Sequence, residues 1–227
     1  MKKFQNDYYL LEKFKGFEVN TLKAFSEYTS LNYRPHSESK FQYIKLCKMK
    51  LEDKFNEDGF RGVYNVLKLW NMNSRAARLK DFSEFRNSLF QNKKEIFELN
   101  NLKLVNLTEH EFQNIIKKIE YLYDNLTLTK ANCKTVTFSK ALHFILPELI
   151  VPIDRKFTQA FFKLSNPEFQ YGGFEVFRYF FTNFWNFTKK YNLIVLRDSN
   201  WNTFETKIMD NIIIGYHLKH GQRKENN

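Results

Sequence analysis

Glycine and proline are scarce in this chain. Its 227 residues include 7 Gly and 4 Pro, too few to punctuate the many short strands and tight hairpins of an all-β fold. Cysteine is scarcer still. Cys47 and Cys133 stand alone, with no Cys-x-x-Cys and no histidine at metal-ligand spacing, so no disulfide framework or zinc site is expected and both thiols are expected to be reduced. No stretch stays apolar for the roughly 20 residues that a membrane-spanning helix needs. The start MKKFQNDYYLLEKF carries basic residues without the apolar core of a secretory signal. A cytoplasmic protein without membrane attachment is the expectation. A Walker loop, Gly-x-Gly-x-x-Gly, His-Glu-x-x-His and Gly-x-Ser-x-Gly are also missing. Nucleotide hydrolysis, dinucleotide redox chemistry, zinc proteolysis and serine esterase chemistry therefore lack support, and no metal or cofactor is expected.

Aromatic and basic residues are abundant. With 25 Phe, 12 Tyr and 43% hydrophobic residues, the core must be packed largely from rings, with Leu and Ile between them. Lys and Arg number 36 against 25 Asp and Glu, a formal charge of +11. A polyanionic partner follows from that balance, nucleic acid and in particular DNA. AT-biased coding is the alternative origin of so much Lys, Asn and Phe.

Hydrophobic spacing predicts helices almost throughout. Phe41, Ile44 and Leu51 suggest one over 38–55, and Val63, Val66, Leu67 and Trp70 another after Gly59, with Gly62 a soft spot. Asp81 with Glu84, and Thr108 with Glu111, have the spacing of reciprocal caps at helix starts. Further helices are expected over 135–146, from Asp154 through Phe157, Phe161 and Phe162, over 174–190 after the Gly172-Gly173 hinge, and over 201–218. Leu193 to Leu196 reads as a short strand or a connector. The expected architecture is all-α, a single multi-helix domain over 1–220 with a soft boundary at 31–39 and a polar tail over 221–227.

Chemistry concentrates in TVTFSKALHFILPELIVPIDRKFTQAFF, residues 135–162. Lys140 lies near the start of an apolar helix, and His143, three residues on, shares its face. Behind Pro152, Asp154 is placed to cap the next helix. Arg155 and Lys156 fall in that helix's first turn, where positive charge opposes the macrodipole and an external anion such as phosphate would offset the cost. Arg75, Arg78 and Lys80 follow Trp70 as a second basic cluster beside an aromatic ring, a combination suited to backbone contact and base stacking. Each residue also has a plain reading: Asp154 as a cap, Lys140 as a solvated helix-face lysine, His143 as a satisfied core histidine, the basic clusters as solvated faces. Lys207 and Asp210, at i and i+3, can pair with each other and read as structural, a pair worth only tenths of a kcal/mol if exposed.

Lys140, the apolar helix after it and the VPID that ends at Asp154 and opens a new helix resemble the core of helix-hairpin-helix DNA glycosylases. KANCKTVTFSK, leading to Lys140, has no glycine, whereas that family carries a Gly-rich turn there. The resemblance implies a base-excision glycosylase or lyase with Lys140 as the nucleophile and Asp154 on the next helix. The chemistry of base expulsion gives Asp154 the role of stabilising the sugar cation, and the leading reading has Arg75, Arg78, Lys80, Arg155 and Lys156 contact the nucleic acid, with His143 and Trp70 as auxiliaries. A non-catalytic nucleic-acid-binding module and a protein-interaction subunit remain as alternatives. WNMNSR at 70–75, the SKALHFILPELIVPIDRKFTQAFF stretch and WNTFETKIMDNIIIGY near the C-terminus together resemble a group of uncharacterised microbial proteins, which implies that the three blocks belong to one module.

Overall fold

The computed structural model describes residues 4, 6–33, 37–72, 78–198 and 201–221. The fold is all-α. Among the described residues the sole β pairing is one antiparallel bridge between Leu79 and Thr129, and no helix is long and apolar enough to cross a membrane.

The reciprocal caps form as the spacing predicts. At the head of α8 (Glu109–Asn125), Thr108 Oγ1 accepts from the Glu111 N–H at 3.3 Å while the Glu111 carboxylate accepts from the Thr108 N–H at 2.8 Å. Asp81 and Glu84 make the same box at α6 (Phe82–Gln91). Ser165 and Glu168 make a third at α10 (Asn166–Tyr171), a helix that the spacing did not announce.

The 38–55 helix is broken in two. α3 (Ser37–Lys48) and the single turn α4 (Leu51–Lys54) are separated by Met49 and an extended Lys50. The buried face of α3 is also not the expected one: Phe41 is 67% exposed, and Tyr43, Leu46 and Cys47 fill the core. α5 (Glu57–Leu69) begins before Gly59, because Asn56 caps it by accepting the Gly59 N–H at 2.8 Å. The connector over Leu193–Leu196 is a 3-10 turn, and the last helix, α12 (Glu205–Gly221), starts later than the spacing suggested.

α12 is the axis of the fold. It lies along α2 (Val19–Asn32) and also touches the turn over Arg155–Gln159. A Cβ at Gly215 would sit 1.9 Å from the Phe25 carbonyl oxygen, so the two backbones are in direct contact there and no larger residue fits. Beside that contact Ser26 donates to Asn202 Oδ1 at 2.6 Å, and Asn211 donates to the same oxygen at 2.9 Å. One hydrophobic cluster runs through the molecule from Leu10 to Ile213. α9 (Thr135–Ile145) passes through it with almost every side chain buried, packed on α3, α5 and α11 (Gly173–Lys190).

Candidate active site

After α9 the chain turns at Leu146–Ile150 and runs back along the helix it has just left. Three contacts hold this return. His143 Nδ1 lies 2.7 Å from the Ile150 carbonyl, Ser139 Oγ accepts the Ile153 N–H at 3.0 Å, and Lys140 Nζ meets Asp154 Oδ2 at 2.8 Å. Ile150 meets His143, and Ile153 and Asp154 meet Ser139 and Lys140 about one turn nearer the start of α9, so the segment runs antiparallel to the helix. Two residues fourteen apart in sequence become an ion pair. The Lys140 side chain is 8% exposed and that of Asp154 25%, so Lys140 is a buried partner rather than a solvated helix-face lysine.

Asp154 also caps the turn that follows. Its Oδ1 accepts the Lys156 N–H at 2.7 Å, and its own N–H donates to Thr158 Oγ1 at 3.0 Å. The turn over Arg155–Gln159 is π-helical. At the head of this turn the Asp154 carboxylate supplies negative charge to the backbone N–H groups, while the Arg155 and Lys156 side chains are exposed. Burial raises the Asp154 carboxyl, but the Lys140 ammonium and the N–H groups of Lys156 and Phe157 outweigh it and hold the group below its ordinary value.

Behind this pair stands another, which the sequence marked only as structural. Lys207 Nζ and Asp210 Oδ2 are 2.5 Å apart on α12, with side chains 5% and 6% exposed. Desolvation raises the Asp210 carboxyl, and Lys207 opposes the rise without cancelling it. Asp154 and Lys140 are near enough to act on Asp210 as well, so two lysines and two aspartates form one formally neutral cluster. Its two carboxyls are pushed in opposite directions, a pattern that separates acid from base roles in enzyme sites.

Aromatic rings floor the cluster. Trp70, which ends α5, has Lys140 Nζ 5.6 Å and Lys207 Nζ 5.4 Å from its ring centroid, and Trp201 has Lys207 Nζ at 5.0 Å. Such cation–π contacts contribute about 0.5–2 kcal/mol each when desolvated. Tyr33, just past α2, has its hydroxyl pushed up to about 12 by burial and then by the charges of Asp154 and Asp210. The three sequence blocks singled out above thus meet here: Trp70 from the first, Lys140 and Asp154 from the second, Trp201, Lys207 and Asp210 from the third.

His143 belongs to the scaffold. Its ring is fully buried and its Nδ1 faces a carbonyl, so Nδ1 carries the hydrogen and Nε2 accepts from the Tyr43 hydroxyl at 3.1 Å. Burial pulls its pKa down to about 3, leaving it neutral and without a free nitrogen for proton transfer.

Asp154 opens onto a surface depression of about 660 Å³, bounded also by Arg155, Lys156, Gln159, Ala160 and Asn166. Arg155 and Lys156 are exposed on its rim. Gln159 Nε2 donates to the Leu164 carbonyl at 3.1 Å and to Asn166 Oδ1 at 2.9 Å, which fixes the amide's orientation and leaves the buried Oε1 without a donor among the described residues. Arg78 and Lys80 lie elsewhere. They flank the Leu79 bridge, with Arg78 exposed and Lys80 paired to Glu84 at 3.1 Å. Lys80 lines a smaller depression of about 190 Å³ with Thr137 and Phe138 of α9. Arg75 is outside the described residues.

Among the described residues no three His, Cys, Asp or Glu side chains converge as a metal site would require. Spacing alone did not reveal Lys207, Asp210, Trp201, Tyr33 or Gln159. A signal for the first two was present: α12 is apolar on every side, with Ile208, Met209, Ile212, Ile213 and Ile214 all buried, and a charge pair on such a helix cannot lie on a solvated face. Comparison with known protein families, with curated proteins and with solved structures finds no match.

Proposed function

We propose that this protein binds DNA and acts on the sugar of a damaged or abasic nucleotide through Lys140 and Asp154, as a base-excision glycosylase or lyase. The reading is carried by the 2.8 Å contact between Lys140 Nζ and Asp154 Oδ2 at the edge of an open depression with Arg155 and Lys156 on its rim. An anionic sugar–phosphate suits that rim, and the Asp154 carboxylate suits the positive charge that develops on a sugar carbon as a base departs. A nucleotide turned out of the stack also exposes polar edges, and Gln159 Oε1 is an acceptor with no donor among the described residues.

An ion-paired amine is not a nucleophile, so the Lys140 ammonium first gives up a proton to water as the substrate enters, while Asp154, held below its ordinary value, stays a carboxylate. The free amine then adds to the aldehyde carbon of an opened abasic sugar. Water leaves with the oxygen, and a carbon–nitrogen double bond remains. Lys207 and Asp210 hold Trp70 and Trp201 behind the pair. Borohydride reduction tests this step: it should fix the protein covalently to DNA carrying an abasic site, and Lys140→Ala should abolish the adduct. An undiminished adduct in Lys140→Ala overturns the assignment of Lys140.

A second reading draws on the pairing itself. Four charges that cancel form a structural staple as readily as a reactive site, and the basic surface would then bind nucleic acid without chemistry. Salt-sensitive DNA binding with neither trapping nor base release over a broad panel of lesions selects this reading.

A further inference from the structure

Lys54 is an ammonium in the wrong place for a structural lysine. Only 3% of it is exposed. A Cβ at Gly59 would lie 2.3 Å from the Asp53 carbonyl oxygen and 2.5 Å from Lys54 Cα, so the first turn of α5 rests directly on the Lys54 backbone. The side chain runs inward to the end of α9, where Nζ donates to the Ile145 carbonyl at 3.2 Å. Two of its three N–H donors are left over, and among the described residues no carboxylate pairs with it. Burial lowers its pKa to about 8, so at neutral pH it still holds its proton. A helix C-terminus favours a cation, but it offsets only part of the cost of desolvating one.

Lys54 lines a cavity of about 390 Å³, whose lining also includes Lys50, Glu52, Asn100, Asn101 and Glu148. Glu148 is already committed, to Lys103 at 2.8 Å and Arg197 at 3.3 Å. Glu52 formally balances one of the two lysines, Lys50 and Lys54, which leaves one positive charge unmatched beside the amide donors. We propose that this cavity is a binding site for a small oxyanion, a carboxylate or phosphate group, that pairs with the Lys54 ammonium and is flanked by the Asn100 and Asn101 amides. It shares no lining residue with the depression beside Asp154, so the site stands or falls independently of the proposed chemistry there.

The test is a lysine side-chain titration by nuclear magnetic resonance, with protein labelled at the lysine ε-carbons and sodium phosphate or sodium acetate added at constant ionic strength. One signal should titrate near pH 8, be absent from Lys54→Met, and move saturably at pH 7 with at least one of the two anions, its midpoint shifting upward. A response to phosphate alone identifies phosphate esters as the ligand class, and a response to acetate identifies carboxylates. Should Lys54→Met not fold, the wild-type midpoint identifies the signal. Asn100→Leu, which removes a wall amide and leaves Lys54 in place, should then weaken the anion response about tenfold. A Lys54 signal that neither anion moves, or an equal response in Asn100→Leu, overturns the proposal.

Discussion

Ile153 donates its backbone N–H to the hydroxyl of Ser139 over 3.0 Å, and the same hydroxyl donates onward to the Val136 carbonyl at 3.1 Å. This bond ties the return segment to α9 one residue from each member of the Lys140–Asp154 pair. In Ser139→Ala the Ile153 N–H, on a residue 1% exposed, loses its acceptor, and a buried unmade hydrogen bond costs about 1–3 kcal/mol. Urea unfolding should register that loss.

The ion pair should respond asymmetrically to the removal of its members. Lys140→Met leaves an aspartate that keeps the Lys156 N–H and some water, whereas Asp154→Leu strands an ammonium whose side chain is 8% exposed and also removes a cap. Breaking a buried pair costs roughly 3–5 kcal/mol. With Asp154 25% exposed, Lys140→Met should fall below that range and Asp154→Leu within it. The double variant should lose less than the two singles together. Additive losses in denaturant unfolding would mean that the pair is not coupled.

His143 sets an acid limit. Its folded pKa of about 3 lies below its ordinary 6.5, so between these values the unfolded chain binds a proton that the folded protein refuses. Stability from this residue is therefore complete above about pH 6.5 and falls as the pH drops towards 3. The imidazole nitrogen resonances should show a neutral ring with hydrogen on Nδ1 at pH 5. A ring that titrates near 6.5 in the folded protein contradicts the burial.

Capped helix starts were legible in the sequence because a reciprocal cap needs only two residues at fixed spacing; Asp81 with Glu84 and Thr108 with Glu111 both form it. Which face of a helix turns inward is a weaker signal. Phe41 is apolar and exposed, while Lys207 and Asp210 are charged and buried, because tertiary neighbours rather than residue type decide those positions. Lys140 and Asp154 stood out by type and by their place around Pro152. Their meeting depended on the return along α9, which rests on Ser139 and His143, polar residues whose spacing announces no such role.

DNA binding should weaken steeply as salt rises, since each phosphate neutralised releases counterions, with a slope of about 0.9 per contact in logarithmic terms. Arg155→Glu, on the rim beside Asp154, and Arg75→Glu should both lower affinity and flatten the slope. Fluorescence anisotropy over a salt series measures this. Unchanged binding in both variants removes these residues from the interface.

The glycines grade the tightness of packing. A Cβ at Gly62 would meet only a methyl group of Leu46 at 2.9 Å, which can swing aside, whereas at Gly215 it would strike the Phe25 backbone at 1.9 Å. Gly62→Ala should stay close to wild-type stability, as the helix preference for alanine offsets a small repacking cost. Gly215→Ala should leave little folded protein, and near-native melting of that variant would argue against the close contact of α2 with α12.

That contact joins residues almost two hundred positions apart, and it imposes an order on biosynthesis. A ribosome that has made everything through α11 has produced most of the aromatic core but neither Lys207 nor Asp210, and α2 has no helix to lie against. Until residues 205–221 emerge, the nascent chain must hold a greasy, unfinished surface open, and Lys140 and Asp154 lack the second pair behind them. Long-range closure of this kind is slow, because the entropy of the intervening chain is lost before any contact repays it. The candidate site is therefore complete only once α12 has been made, and a chain stalled before that helix would be a client for chaperones.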